Sequence, residues 1–242
     1  MDHLVELQRD GLIKSIAGKG FTPMALRDLD RNGFRFDSHE MDINLLNSNH
    51  YYNAESKLAA ADLDLPLLAS SPLAGGLLTS RWHGKVYPPL SREMASPQQH
   101  KYILTALRKW CHTQQQTPSK SAPLSELQVW DQYQKKVLPL LDEISQYHEV
   151  SLASIALRWA LQLDHVGNTA VRCNLMKEDE DIQGNLSRRL KHLRDVFRFE
   201  LSGEDMDRLG ELSKSPQSDM EKAMDEEEEE LRRMMRNRSL WL

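Results

Sequence analysis

An α/β fold with a parallel sheet is what this sequence predicts, and two features of its first half carry the prediction. The run Leu67-Leu68-Ala69-Ser70-Ser71-Pro72-Leu73-Ala74-Gly75-Gly76-Leu77-Leu78 starts as an apolar strand and ends in a Pro/Gly turn. Two adjacent glycines there would let backbone N–H groups approach a ligand without Cβ obstruction. The plain alternative is a tight turn with no ligand. Second, short apolar runs alternate with amphipathic stretches from the N-terminus up to this loop, which implies crossover connections between parallel strands. At 242 residues and 40% hydrophobic, the chain has material for one sizeable core.

Taken in order, residues 2 to 10 carry Leu4, Val5 and Leu7 among charges, the pattern of the end of an amphipathic helix, and Gly11 is placed to stop it. A chain opening on such a tail is expected to lack a segment that preceded it. Ile13 to Gly18 reads as a short strand. Thr22 then caps a helix with Pro23 at its first position and Met24, Leu26 and Leu29 facing inward, and Asn32-Gly33 ends it. Met41 to Leu46 is the next strand, Ala54 to Ala61 the next helix, and Pro66 leads into the strand of the Gly-rich loop.

Periodicity weakens from Trp82 to Pro123, where a helix near Tyr102 to Trp110 interrupts an exposed excursion placed to cover a ligand. Leu124 to Tyr147 is helical, with Leu127, Trp130, Val137, Leu138, Leu141 and Ile144 on the buried side and Pro139 as a kink or break. Ser151 caps the following helix, in which Trp159 is a core residue. Asn168 to Cys173 forms a fourth strand, followed by helices near Glu178 to Leu193 and Ser202 to Leu212. These segments make one domain over 1-215 with an insertion at about 83-150, and 216-242 is a charged helical tail. In that tail Glu228 and Glu229 face Arg232 and Arg233 at helical spacing, and Leu240-Trp241-Leu242 is apolar enough to dock on the domain or on a partner.

A formal charge of −5 argues against a basic nucleic-acid surface. Cys111 and Cys173 lie far apart with no metal-ligand spacing and read as reduced thiols. The N-terminus has no basic-then-apolar leader, and no stretch reaches the roughly 20 apolar residues of a membrane span. Cytoplasmic localisation is therefore expected.

The order of Leu7-Gln8-Arg9-Asp10-Gly11-Leu12-Ile13-Lys14-Ser15-Ile16-Ala17-Gly18, Met41-Asp42-Ile43-Asn44-Leu45-Leu46, the Ser71 to Leu78 loop, Ala156-Leu157-Arg158-Trp159-Ala160-Leu161 and Thr169-Ala170-Val171-Arg172 resembles the C-terminal half of an aldo/keto reductase. The resemblance covers roughly residues 4 to 212, loosely from 83 to 150. It implies a partial (β/α)8 TIM barrel of about four strands, a small-molecule carbonyl or alcohol substrate, and NADP or NAD as cofactor. Ser71, Leu73, Gly75 and Gly76 match the loop that lines the pyrophosphate, and Asn185 matches an adenine-contacting asparagine. Arg172, at the end of the last strand, is either a substitute phosphate-binding charge or a structural salt-bridge partner.

The same resemblance marks departures. The family's nicotinamide amide is held by a Ser-Asn pair where this chain has Lys19 and Gly20, by a Gln where it has Glu40, and against an aromatic where it has Ser70. Acidic residues from Glu178 to Asp181 stand where NADP-using members often place an arginine. The family's Asp, Tyr, Lys and His catalytic set belongs to the other half of the barrel, so no catalytic residue is assigned. His50-Tyr51-Tyr52 offers the right residue types, but neighbours in sequence point in different directions and read as packing residues. Four strands cannot close a barrel, so their outer edges must be covered by the excursion or the tail, or paired in a homodimer. Three readings follow: an oxidoreductase half inactive alone, a non-catalytic scaffold or regulatory half barrel, or a truncated reading of a full-length active reductase.

Overall fold

Four strands, β1 (Ala17–Lys19), β2 (Ser38–Asp42), β3 (Leu67–Ser70) and β4 (Val166–Ala170), lie side by side in sequence order, each neighbouring pair parallel. The structure is a computed structural model, and it describes residues 2–47, 51, 59–88, 103–108, 110–111, 125–171, 191 and 193–213. Its helices are α1 (Asp2–Arg9), α2 (Pro23–Arg31), α3 (Glu126–Gln132), α4 (Leu138–Tyr147), α5 (Leu152–Leu161) and α6 (Gly203–Ser213), with further helical turns at 59–62 and 103–108. This is an α/β fold, a partial (β/α)8 barrel. Among the described residues β1 and β4 are the sheet's outer strands.

Local signals set the helix ends. The Thr22 hydroxyl accepts from the Ala25 N–H at 3.2 Å, Pro23 opens α2, and Asn32 closes it before Gly33 turns the chain at φ +79°. Ser125 starts α3 with a reciprocal capping box to Gln128, and Ser151 caps α5 through the Ser154 N–H at 3.1 Å. Between α3 and α4 the chain widens into a π turn (Tyr133–Val137), in which the Leu138 N–H reaches back to the Tyr133 carbonyl. Pro139 follows at once; it has no N–H to donate and needs room at the preceding turn, which the π turn supplies.

Several elements differ from the sequence expectation, mostly in extent. The first strand is Ala17–Lys19 rather than Ile13 to Gly18, and the second is Ser38–Asp42 rather than Met41 to Leu46. Ile43, Leu45 and Leu46 are buried as expected, but in a turn where the Asn44 side-chain oxygen accepts the Leu46 N–H at 3.0 Å. An apolar run reports burial, and strand pairing alone decides extension. The fourth strand, expected over Asn168 to Cys173, likewise begins two residues earlier, at Val166–Ala170. Met24 and Leu127 face solvent at 48% and 53% exposure, whereas Leu26, Trp130, Val137, Leu138, Leu141 and Ile144 are buried. In α1, Leu4, Val5 and Leu7 are exposed.

The larger core joins the strand-end turns to α3, α4 and α5, with Trp110, Trp130, Trp159 and Tyr133 almost fully buried; Ile103 and Leu107 from the helical turn at 103–108 belong to it. Trp159 is core, as its helical spacing predicts. A smaller cluster of Ile16, Leu26, Phe34, Phe36, Leu63 and Leu65 fills the space beneath α2. Cys111 is buried, and burial pushes its thiol up to about 11. Cys173, the Glu178 to Asp181 run, most of the Ala54 to Ala61 and Glu178 to Leu193 helices, and the 216-242 tail lie outside the described residues.

Candidate functional site at the sheet rim

Because the strands are parallel, their carboxyl ends meet at one rim, the β3–β4 pairing shifting by one residue between Leu67 and Leu68. Lys19 of β1 stands beside Glu40 of β2, and Asp42 of β2 beside Ser70 of β3. Residues two apart on a strand share a face, so Glu40 and Asp42 point the same way, opposite to His39. His39, Leu67 and Ala69 are buried on the helix-covered face. The other face carries a polar row: Lys19 Nζ lies 2.5 Å from Glu40 Oε1, and the Ser70 hydroxyl donates to Asp42 Oδ1 at 2.7 Å. The Lys19 hydrogen bond holds the Glu40 carboxyl below the usual carboxylate range, and the same bond raises Lys19.

Beyond Ser70 the chain enters a loop of left-handed turns, with positive φ at Ser71 (+53°), Ala74 (+49°), Gly75 (+67°) and Gly76 (+93°). Most of its N–H groups are used within the loop. Ala74 donates to the Ser71 carbonyl (2.9 Å), Gly76 and Leu78 to that of Leu73 (2.9 and 3.2 Å), and Leu77 to that of Ala74 (3.3 Å). Among the described residues no such bond takes the N–H of Ser71 or Leu73. Ser71, the residue after β3, is exposed and Leu73 half-buried. Donors left over by a tight turn are what an anion requires.

The loop is fixed from behind by α3, the π turn and the chain between. The Gly76 carbonyl accepts from Thr79 Oγ1 at 2.8 Å and from Trp82 Nε1 at 2.9 Å, and the Tyr133 hydroxyl donates to the Leu77 carbonyl at 2.5 Å. Trp130, 5.0 Å from the Tyr133 ring, donates to the Lys85 carbonyl, and Gln134 to that of Trp82. Part of the segment expected to form an exposed excursion is therefore the buttress of the loop.

Of the sequence-predicted residues, Ser71, Leu73, Gly75 and Gly76 come together in this loop, while Arg172 and Asn185 lie outside the described residues. Tyr51 is buried and its hydroxyl donates to the Asp164 carbonyl at 3.2 Å, a packing role; His50 and Tyr52 lie outside the described residues. Sequence reasoning did not single out Asp42, His39 or Tyr133. Asp42 gains its place through its register with Ser70, which no local pattern in the sequence relates. Among the described residues no cluster of potential metal ligands occurs, and no helix is long and apolar enough to cross a membrane.

The model of the aldo/keto reductase family matches residues 1–214. The chain belongs to this family. Solved structures agree in fold. The apo form of Gox0644 matches at TM-score 0.52 and 16% identity, over 88% of this chain and 52% of that one. The thermostable aldo-keto reductase Tm1743 in complex with the inhibitor epalrestat matches at TM-score 0.50 and 17% identity, over 87% and 52%. The aldo-keto reductase AKR11C1 from Bacillus halodurans, in its apo form, matches at TM-score 0.51 and 18% identity, over 86% and 54%. This aldo/keto reductase chain thus spans about half the length of the solved structures it matches. Among proteins of curated function, none matches it.

Proposed function

We propose that this chain is the dinucleotide-binding half of an NAD(P)H-dependent aldo/keto reductase barrel, acting in carbonyl reduction or alcohol oxidation on a small molecule in the cytoplasm. The observation that carries the reading is the pair of N–H donors, Ser71 and Leu73, that no backbone acceptor among the described residues takes up, on a loop whose other turns are closed. They suit the pyrophosphate of a dinucleotide, with Gly75 and Gly76 allowing close approach. By the family resemblance, Asn185 would meet the adenine, and Arg172 would supply a substitute phosphate-binding charge unless it serves as a structural salt-bridge partner. When bound, the reduced nicotinamide supplies a hydride. This chain contributes binding and orientation, and no proton donor for the developing alkoxide is assigned to it. On this reading it is inactive alone, and pairing of the β1 and β4 edges with a second copy would complete the ring.

The Lys19–Glu40 ion pair and the small Ser70 favour a second reading, a non-catalytic half barrel that keeps the loop but not a working nicotinamide subsite. Titration of the purified chain with NADPH, followed by the fluorescence of Trp82 and Trp130 behind the loop, tests the proposal. Saturable binding below millimolar concentration, weakened in Gly76→Ala, is expected, because alanine is strained at φ +93°. No saturation at millimolar NADPH would leave the non-catalytic reading standing.

A further inference from the structure

His39, the second residue of β2, is almost fully buried at 4% exposure on the helix-covered face of the sheet. Its Nε2 accepts the Phe21 N–H at 3.3 Å. A ring nitrogen that accepts carries no proton, so the imidazole is neutral and its proton sits on Nδ1. Phe21 closes the short segment Lys19-Gly20-Phe21 that leaves β1 and enters α2 through the Thr22 cap. Packing of the Phe21 ring on Phe36, at 4.9 Å between centroids, and edge-on against His39 at 6.5 Å holds the same segment. One histidine thus fixes the backbone that presents Lys19 to Glu40.

We infer that His39 is a positioning residue for the rim, a latch that holds the Lys19-Gly20-Phe21 segment while the imidazole is neutral and releases it when Nε2 is protonated. A protonated Nε2 would set one N–H against another, and the Phe21 amide would lose its acceptor. The surroundings oppose that proton but do not seal it out. His39 lines a crevice of about 30 Å³ whose other walls, among them Phe21, Leu26, Met41 and Leu67, carry no charged side chain, and that space admits water. Burial lowers the His39 pKa from its ordinary value, and the charge of Glu40, next along the strand on the opposite face, pulls it back in part. Among the described residues Glu40 is the charged group that acts on the ring. The inference rests on reading the rim as the binding site; the latch itself is tested without any ligand.

The test uses the full chain labelled with ¹⁵N. Ring ¹H–¹⁵N correlation spectra from about pH 8 to about pH 5 report the His39 tautomer and its titration, and amide exchange reports Phe21. Expected are an unprotonated Nε2 at neutral pH, a midpoint below about 6.5, and Phe21 protection that falls roughly tenfold per pH unit below the midpoint once intrinsic exchange is removed. His39→Gln keeps a side-chain acceptor and cannot titrate, so its Phe21 protection stays flat over the same range. A protonated Nε2 at neutral pH, a midpoint at or above about 6.5, or the same acid loss of Phe21 protection in His39→Gln would overturn the latch. NADPH titrations of both proteins then separate the two claims. An affinity that falls with acid in wild type only supports the positioning role, and one that falls equally in both overturns it. An intact latch with no NADPH binding at any pH overturns the dinucleotide reading and leaves the latch.

Discussion

The ammonium of Lys19 and the carboxylate of Glu40 meet at 2.5 Å across the β1–β2 pair, on the sheet face opposite the helices. With side-chain exposures of 68% and 29%, the pair is well solvated, and its net contribution to folding is small. Its consequence lies in binding, because it sets a carboxylate at the rim and engages the Lys19 ammonium there. In Glu40→Gln the melting temperature is expected to stay within error while NADPH binds roughly tenfold more tightly, the size of one lost unfavourable charge contact. Fluorescence titration checks this, and equal or weaker affinity in the variant counts against a dinucleotide at this rim.

Tyr133 gives the most direct test of the buttress. Its hydroxyl is fully buried, burial holds its pKa far above the usual tyrosine value, and its one described acceptor is the Leu77 carbonyl. Tyr133→Phe keeps the ring packing and strands that carbonyl, which costs about 1–3 kcal/mol. Chemical denaturation should show the loss, with NADPH affinity reduced as the loop loosens. A variant as stable as wild type would mean that the hydroxyl contributes nothing to the clamp.

Gly18 is a matter of space rather than of backbone freedom. A Cβ placed there would lie 2.8 Å from two ring carbons of Phe36. That ring is held by Phe21 at 4.9 Å and Phe34 at 5.0 Å, so it has little room to move. Gly18→Ala is expected to destabilise the fold by about 1–3 kcal/mol through overpacking. Truncating the obstacle in the same chain, as Gly18→Ala with Phe36→Leu, should recover part of that loss, and fully additive effects in the double variant would rule out the clash.

Asp205 ties the start of α6 to the end of α4. Its Oδ2 accepts the Ser202 hydroxyl at 2.8 Å and the Ser202 N–H at 3.3 Å and lies 3.4 Å from His148 Nε2. Burial works against its charge, but the bonds from Ser202 and His148 outweigh it and hold the carboxyl below its ordinary value. A carboxyl depressed in the folded state adds stability that is full above the unfolded pKa, near 3.9, and is lost as pH falls through the folded value. The acid limb of a plot of melting temperature against pH should therefore be shallower in Asp205→Asn than in wild type. Parallel limbs would exclude Asp205 as a source of acid sensitivity.

Much of this architecture is legible in the sequence alone. Thr22-Pro23, Asn32-Gly33, Ser151 and Ser202 fix helix ends through their own side chains and dihedrals, so they can be read within a few residues of sequence. The strand-to-loop run at Leu67 to Leu78 placed the rim correctly for the same reason. What could not be read was Tyr133 reaching Leu77, or Trp82 and Thr79 converging on the Gly76 carbonyl, because such contacts join segments that no local pattern relates. Asn185 stands as a proposal on family resemblance, and Arg172 as one on its charge at the end of the last strand.

The residues in sequence order decided that strands and helices alternate, that the strands run parallel, and that a Gly-rich turn ends the third of them. Caps, turns and periodicity act over one or two turns of chain, and the information is complete at that range. Tertiary structure alone decided where each strand begins and ends, turned Ile43 to Leu46 away from the sheet, set Lys19 against Glu40, and buried His39 beneath the Phe21 amide. Those outcomes depend on which backbone groups find partners across the sheet and which charges share a face, and such partners are assigned only when distant segments are brought together.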